Sequence, residues 1–308
     1  MKNSIKFLGL IAILLISSLL IFATKTSDVN HQNNTISSDK NTSETYQIKA
    51  LKIPDNLNFA GELVPIEKAD IKERIDRELL VNTYWQSNGL LLFKRTNKYF
   101  PIIEPILEKN GIPNDFKYLA VIESGLQNVT SPAGAKGFWQ IMKATGKENG
   151  LEINDNVDER YHIEKATQVA CDYLNVAKER FGTWTMAAAA YNAGMRGISR
   201  KIETQKVTDY YDLLVGDETK RYVPRMVALK EILSNPEKYG FLFDQEDLYL
   251  LTPTRIIEVD TVITDIAIFS KNLGINYKVL KLHNPWLREN KLNNKSRKLY
   301  QLKIPTEI

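Results

Sequence analysis

The stretch Glu123-Ser-Gly-Leu126, followed by Ser131-Pro-Ala-Gly-Ala-Lys-Gly-Phe-Trp-Gln-Ile-Met142, is the most informative part of this 308-residue chain. It places one carboxylic acid ahead of a glycine-punctuated segment and a run of large apolar side chains. Glycine lets a backbone approach a ligand closely, and Gln140 adds an amide that donates or accepts hydrogen bonds. We predict from this layout a site for acid chemistry on a bulky neutral substrate such as a sugar ring.

Glu123 is predicted to lie at the end of a short helix. Residues 116–123 carry Leu119 and Ile122 on one face, and Asp115 precedes them as a candidate N-cap. A negative charge is unfavourable at the C-terminal end of a helix, and apolar neighbours also disfavour ionisation. We therefore expect Glu123 to be held in the neutral form that a general acid requires.

The rest of the central sequence is also predicted to be helical. Four successive alanines, residues 187–190, permit close approach of helices, and Tyr222-Val-Pro224 is predicted to open another helix with proline in its first turn. Alternation typical of strands is scarce before Arg255. The fold class is therefore predicted to be mainly α, with helices at residues 71–80, 90–93, 99–110, 166–181 and 185–192.

Composition excludes several classes of function. The formal charge of +4 is a small surplus over 41 basic and 37 acidic side chains that are interspersed, so a nucleic-acid partner is not expected. The single cysteine, Cys171, cannot close an intrachain disulfide and is expected in the core. His31, His162 and His283 lack the spacing of a metal site, so no metal or other cofactor is assigned.

The N-terminal segment predicts export. Lys2 and Lys6 precede an apolar run over residues 7–23, which is typical of a signal peptide or a short membrane anchor. The predicted organisation is a signal or anchor at residues 1–24, a flexible tether at 25–50, a helical N-terminal extension at 51–94, a catalytic domain at 95–240 and a small module at 250–308.

Four blocks in this order resemble the catalytic domain of the lytic transglycosylases, which shares its fold with goose-type lysozyme. They are Glu123-Ser-Gly, residues 131–142 with Thr145 after them, Ala190-Tyr-Asn-Ala-Gly194 and Glu218-Thr-Lys-Arg-Tyr-Val-Pro-Arg-Met-Val-Ala-Leu229. The resemblance is closest to the membrane-bound type D branch and covers about residues 95–235. It implies a lysozyme-like helical domain in the bacterial periplasm or cell envelope, monomeric and acting on peptidoglycan glycan strands.

The resemblance also implies the chemistry. The family cleaves the β-1,4 bond between N-acetylmuramic acid and N-acetylglucosamine without water and leaves a 1,6-anhydro sugar. Glu123 matches its catalytic acid and base, the substrate acetamido group assists, and no second enzyme carboxylate is needed, unlike the common two-carboxylate scheme. Ser131 matches a serine that contacts the catalytic carboxyl, and Gln140, Met142, Tyr191 and Asn192 match residues of the sugar site.

One departure from the family pattern concerns the loop after Glu123. Only seven residues separate Glu123 from Ser131, which is one fewer than in the members of the family that it resembles. We therefore expect this shorter loop to change the position of Ser131.

Alternative interpretations remain open at this stage. Phe138, Trp139 and Tyr191 are also typical core residues. A hydrolytic muramidase would need a second carboxylate such as Asp155, and a glycan-binding factor could keep the fold without turnover. The acidic cluster around Asp155 lacks the ligand spacing of a calcium loop.

The C-terminal sequence changes character. Residues 255–262 are rich in β-branched side chains, 263–273 are predicted to be helical, and Tyr300-Gln-Leu-Lys-Ile-Pro305 is predicted to be a strand. Together with Asn284-Pro285, this pattern resembles a degenerate LysM module. The module is expected to be a small α+β appendage that either binds N-acetylglucosamine chains or only stabilises the catalytic domain.

Overall fold

The computed structural model describes residues 48–307. The predicted signal or anchor and most of the predicted tether lie outside this range. No helix within residues 48–307 has the length and apolar character needed to cross a membrane. The described residues form ten α-helices: α1 Ala69–Tyr84, α2 Gln86–Lys109, α3 Lys117–Ser124, α4 Lys143–Glu148, α5 Ile163–Phe181, α6 Trp184–Ala193, α7 Met195–Gln205, α8 Asp217–Ser234, α9 Ile266–Asn272 and α10 Tyr277–His283.

Four short strands complete the described part of the chain. β1 Asn58–Phe59 pairs with β2 Glu62–Leu63, and β3 Thr254–Val259 pairs antiparallel with β4 Tyr300–Pro305 from Thr254↔Pro305 to Val259↔Tyr300. The predicted mainly α fold with a small α+β appendage is therefore confirmed. The predicted boundary between residues 94 and 95 falls inside α2, so a single helix belongs to both segments.

The central helices pack around α6. Its alanines, residues 187–190, are fully buried, and α6 contacts both α5 and α8. Small side chains let the helix backbones approach closely. Gly182 ends α5 in the left-handed conformation, with φ of 81°, and Thr183 then caps α6 by accepting a hydrogen bond from the Met186 N–H at 3.3 Å. Cys171 is buried as predicted, and burial raises the pKa of its thiol to about 12.

The predicted start of the helix at Tyr222 is wrong. α8 begins at Asp217, so Pro224 is its eighth residue rather than part of its first turn. Proline has no N–H and leaves the carbonyl of Lys220 without its helical partner. The hydroxyl of Tyr210 donates to that carbonyl at 3.0 Å, and to the carbonyl of Thr219 at 2.8 Å. A side chain from outside the helix therefore compensates the interior proline.

The C-terminal module has a core of its own and docks on residues 152–164. Val157 and Tyr161 belong to the same apolar cluster as Trp286 and Leu302. The N–H of Asp158 donates to the carbonyl of Trp286 at 2.9 Å, which joins the two segments through backbone as well as side chains. Packing against the catalytic domain is thus one role of the module.

Candidate active site

Glu123 is the next-to-last residue of α3, as the sequence predicts. Gly125 ends the helix in the left-handed conformation, with φ of 58°, and its N–H donates to the carbonyl of Val121 at 2.8 Å. The predicted cap is wrong, because Asp115 lies in a 3₁₀ turn before α3. Its carboxylate instead accepts from the Ala60 N–H and from Lys230 Nζ, both at 2.7 Å.

Tyr222 is the hydrogen-bond partner of Glu123. Its hydroxyl, on α8, donates to Oε1 of the partly buried glutamate. Burial raises the pKa of Glu123 and outweighs this hydrogen bond, which lowers it; Glu218 adds to the increase, and Arg225 opposes it. The balance favours the neutral acid, which is the form able to donate a proton.

A second, partly buried tyrosine lies close to the same carboxyl. Burial and the negative charge of Glu123 both raise the pKa of Tyr191 and of Tyr222, so both phenols remain protonated. The Tyr191 hydroxyl donates to the carbonyl of Trp139 at 2.8 Å, and its ring packs edge-on against Tyr173 with centroids 5.3 Å apart. Tyr191 thus lies near the acid and also has the packing role that the sequence left open.

The loop that carries Ser131, Gln140 and Met142 is held mainly by its own backbone. Within residues 48–307 the expected contact between Ser131 and the Glu123 carboxyl is not formed, and Ser131 Oγ accepts instead from the Ala135 N–H at 3.0 Å. Gln140 Nε2 donates to the carbonyl of Gly137 at 2.8 Å, and its amide oxygen has no hydrogen-bond partner within residues 48–307. Met142 is 45% exposed, so its side chain is available to a ligand.

Buried Arg160 fixes this loop from behind. It makes a bidentate pair with Asp158 at 2.9 and 2.8 Å, and its Nη1 donates to the carbonyl of Gly134 at 3.1 Å. Gly137 was expected to admit a ligand, but a Cβ there would lie 2.0 Å from the carbonyl oxygen of Arg160. Gly137 therefore lets the loop pack against the protein's own backbone.

The apolar wall predicted for the sugar is mostly core. Trp139 is fully buried and its Nε1 donates to Thr167 Oγ1 at 2.8 Å, while the ring of Phe138 packs edge-on against Tyr99 with centroids 4.8 Å apart. The core interpretation of both aromatics is therefore confirmed. The backbone carbonyls of these two residues still position side chains of the site. Ser124 Oγ donates to the carbonyl of Phe138, and the Tyr191 hydroxyl donates to the carbonyl of Trp139.

Asn192 and a buried ion cluster order α8 beside the site. Asn192 Oδ1 accepts from Thr219 Oγ1 at 2.7 Å. Glu78 on α1 is 1% exposed and accepts from Arg221 Nε at 2.7 Å and from Arg225 Nε at 3.4 Å. These arginines flank Tyr222, so α1 helps to fix the helix that bears the partner of the acid.

The acidic residues after the loop differ in their surroundings. Asp155 is exposed, whereas Asp158 pairs with Arg160 and Glu159 pairs with Lys165. No group of three or more His, Cys, Asp and Glu side chains within residues 48–307 is arranged to hold a metal ion.

Glu123 is a partly buried glutamic acid in a helical domain, and the Tyr222 hydroxyl donates to its carboxyl, which suits it to acid catalysis. Residues 100–214 match the transglycosylase SLT domain, and residues 255–308 match the soluble lytic transglycosylase C-terminal LysM-like domain. The chain therefore contains a transglycosylase SLT domain followed by a LysM-like domain. The predicted resemblance to lytic transglycosylases and the mainly α, lysozyme-like fold class are confirmed.

Individual known proteins are similar to parts of the chain. The chain is 29% identical over 300 residues to membrane-bound lytic murein transglycosylase D of Escherichia coli K12, covering 89% of this chain and 63% of that protein. Solved structures with similarity include the 70 kDa soluble lytic transglycosylase of Escherichia coli, at 21% identity, TM-score 0.38 and coverage of 49% of this chain and 26% of that one. Another is an inactive mutant of lytic transglycosylase Slt from Pseudomonas aeruginosa, at 17% identity, TM-score 0.36 and coverage of 50% and 26%.

Proposed function

We propose that this protein is a peptidoglycan lytic transglycosylase that cleaves the β-1,4 bond between N-acetylmuramic acid and N-acetylglucosamine without water. The observation that carries the proposal is the Glu123 carboxyl, whose pKa burial raises and which accepts a hydrogen bond from Tyr222, within a transglycosylase SLT domain. The product is a 1,6-anhydro-N-acetylmuramic acid end. The chain spans 63% of the length of its curated relative, and their shared regions include the proposed site.

Glu123 acts as acid and then as base. Its carboxyl proton passes to the glycosidic oxygen as the bond to C1 breaks, and the neighbouring acetamido oxygen of the substrate stabilises the positive centre that develops there. The resulting carboxylate then withdraws the C6 hydroxyl proton as O6 bonds to C1 and displaces the acetamido oxygen. Tyr222 favours the first stage, in which Glu123 gives up its proton, because a hydrogen bond to a carboxylate stabilises the ionised form.

A single carboxylate suffices for this scheme, and the surroundings of Glu123 support it. Asp155 is exposed, and Glu218, which raises the pKa of Glu123, is paired with Arg225 at 3.1 Å. A hydrolytic muramidase would need a free carboxylate to activate water. The exposed Met142 and the free amide oxygen of Gln140 are proposed to contact the sugar, with Ser131, Tyr191 and Asn192 shaping the same site.

The proposed place of action is the bacterial cell envelope. A murein substrate is part of the wall, and the apolar run at residues 7–23 would deliver the enzyme across the membrane or hold it there. The LysM-like module is proposed to add glycan affinity to its packing role. We propose a monomer.

Digestion of purified sacculi, with mass spectrometry of the product ends, tests the proposed function. Wild-type protein should release 1,6-anhydro ends. Glu123→Gln should lower the rate at least about 10²-fold, since it removes a general acid. Reducing ends in place of anhydro ends would establish hydrolysis instead, and equal binding and activity in both proteins would establish a factor without turnover.

A further inference from the structure

Two adjoining cavities lie along α2, with volumes of about 410 and 330 Å³. The C-terminal module closes one side of the larger cavity through Trp286 and Lys303. We call the two cavities together the α2 groove. They share four lining residues, Lys98, Tyr99, Asn128 and Phe138.

The α2 groove carries uncompensated positive charge. Arg95 and Lys98 are three residues apart and therefore share a face of α2. Arg95 Nη1 donates to the carbonyl of Gly125 at 3.2 Å, and within residues 48–307 neither cation forms an ion pair. The single carboxylate that lines the groove, Glu164, is already bound to Lys303. The groove is thus complementary to an anion.

The same groove is poorly suited to stacking a neutral sugar. The ring of Phe138 is covered by Tyr99, and Trp286 lies between His162 and Tyr300 with ring centroids 5.9 and 5.7 Å away. Their faces are therefore not free to stack on a ligand. Four of the polar groups that line the groove can donate hydrogen bonds to a carboxylate: the guanidinium of Arg95, the ammonium of Lys98, the Tyr99 hydroxyl and the Asn128 amide.

The α2 groove borders the proposed catalytic loop. Asn128 follows Glu123 by five residues, and the Arg95 bond to Gly125 ties α2 to the turn directly after the acid. A ligand in the groove would therefore lie on the same side of the domain as the chain that follows Glu123.

We propose that the α2 groove binds the carboxylate-bearing peptide stem of the peptidoglycan strand that Glu123 cleaves. This inference rests on the proposed function. The stem branches from N-acetylmuramic acid, one of the two sugars at the cleaved bond, so its carboxylates travel with the substrate. Arg95 and Lys98 pair with these carboxylates, the groove's apolar surface accommodates the stem's alanine methyl groups, and Asn128 donates to its amide carbonyls.

The test compares sacculi with the same glycan strands freed of peptides by an amidase. Rates of anhydro-end formation are measured for wild type, Lys98→Glu and Lys109→Glu. Lys109 is an exposed matched control on α2, about 16 Å further along the helix. In Lys98→Glu the ratio of the rate on intact strands to the rate on peptide-free strands should fall about 5- to 10-fold. Lys98→Ala should give a smaller fall, and Lys109→Glu should keep the wild-type ratio.

The outcomes separate the two proposals. An unchanged ratio in Lys98→Glu, or an equal fall in Lys109→Glu, overturns the α2 groove as a stem site while leaving the transglycosylase proposal intact. Wild-type protein that forms no anhydro ends on either substrate overturns the proposed function and this inference with it. Calorimetric titration of Glu123→Gln with an N-acetylmuramyl tetrapeptide should show binding that weakens in added salt and on Lys98→Glu.

Discussion

The hydroxyl of Tyr222 donates a hydrogen bond to Oε1 of Glu123 across 99 residues of sequence. It joins the end of α3 to the interior of α8. Because Tyr222 is only 2% exposed and its phenol stays protonated, it is a fixed donor to the carboxyl. The bond opposes, without cancelling, the effect of burial on the pKa of Glu123. Tyr222 therefore sets how readily this acid gives up its proton.

Tyr222→Phe should lower kcat about 10- to 100-fold, since a hydrogen bond to a charged group contributes about 1.5–3 kcal/mol. It should also move the alkaline limb of activity to higher pH, because the bond that lowers the pKa of Glu123 is gone. Tyr211→Phe is the matched control, since the buried Tyr211 hydroxyl has no hydrogen-bond partner within residues 48–307. Similar rates and pH profiles in the two variants would remove Tyr222 from the mechanism.

The wild-type pH profile follows from the raised pKa of Glu123. The protonated acid is present below that pKa and is lost as pH rises through it, so activity should fall on the alkaline side. The midpoint of the fall should lie above 4.5, the ordinary value for glutamic acid. Initial rates of anhydro-end formation measure it. A midpoint at or below that value would contradict the assignment of Glu123 as the proton donor.

Glu78→Gln should destabilise the fold and shift the same profile the other way. Removing the buried carboxylate is expected to cost about 3–5 kcal/mol, because it leaves Arg221 without its ion pair and Arg225 with only the exposed Glu218. Arg225 lowers the pKa of Glu123, so without Glu78 its effect grows and the alkaline limb should move to lower pH. Thermal melting and the pH profile measure the two effects.

Glu73→Gln is the control for this prediction. Glu73 is exposed on the same helix, and its replacement should change neither the melting temperature nor the pH profile of activity. A purely structural role for Glu78 would lower the melting temperature and leave the pH profile in place.

Local patterns were sufficient to predict where Glu123 lies and that its pKa is raised. The short apolar helix and the glycine that ends it are encoded within ten residues, and burial there raises the pKa of the acid. Tyr222 lies within the block 218–229 that resembles the family. Its contact with Glu123 nevertheless depends on how α8 packs on α3. Nothing near Glu78 indicated its pairing with α8, since the partners are more than 140 residues away.

The wrong predictions share a cause. Asp115 and Pro224 were assigned by their usual local roles, as an N-cap and as a first-turn proline. In the folded protein Lys230 takes the carboxylate of Asp115, and the hydroxyl of Tyr210 compensates for Pro224. Both partners are tertiary, so local propensity could not reveal them.

Gly137→Ala should destabilise the site loop more than Gly134→Ala. Both glycines have positive φ, 78° and 85°, so alanine is strained at either position. Only at Gly137 would the new methyl group meet backbone, at 2.0 Å from the Arg160 carbonyl oxygen. We expect a loss of about 3 kcal/mol or more at Gly137 and about 1 kcal/mol at Gly134. Denaturant unfolding measures both losses. Equal losses of unfolding free energy would show that the contact between the new Cβ and the Arg160 carbonyl oxygen is relieved at no cost.

Docking of the C-terminal module should depend on pH through Glu164. Although burial opposes ionisation, the His162 ring 3.1 Å from Glu164 and the ammonium of Lys303 lower the pKa of Glu164 to about 2. Because the pKa of Glu164 is lower in the folded protein than the ordinary value of about 4.5, the ionised carboxylate stabilises the folded protein above pH 4.5. This stabilisation is lost as the pH falls towards 2. Glu164→Gln should therefore lower the melting temperature near neutral pH and match wild type in strong acid. Asp217→Asn, which removes an exposed pair with Lys220, should change little at any pH. A melting difference that is constant with pH would show that the charge of Glu164 does not hold the module in place.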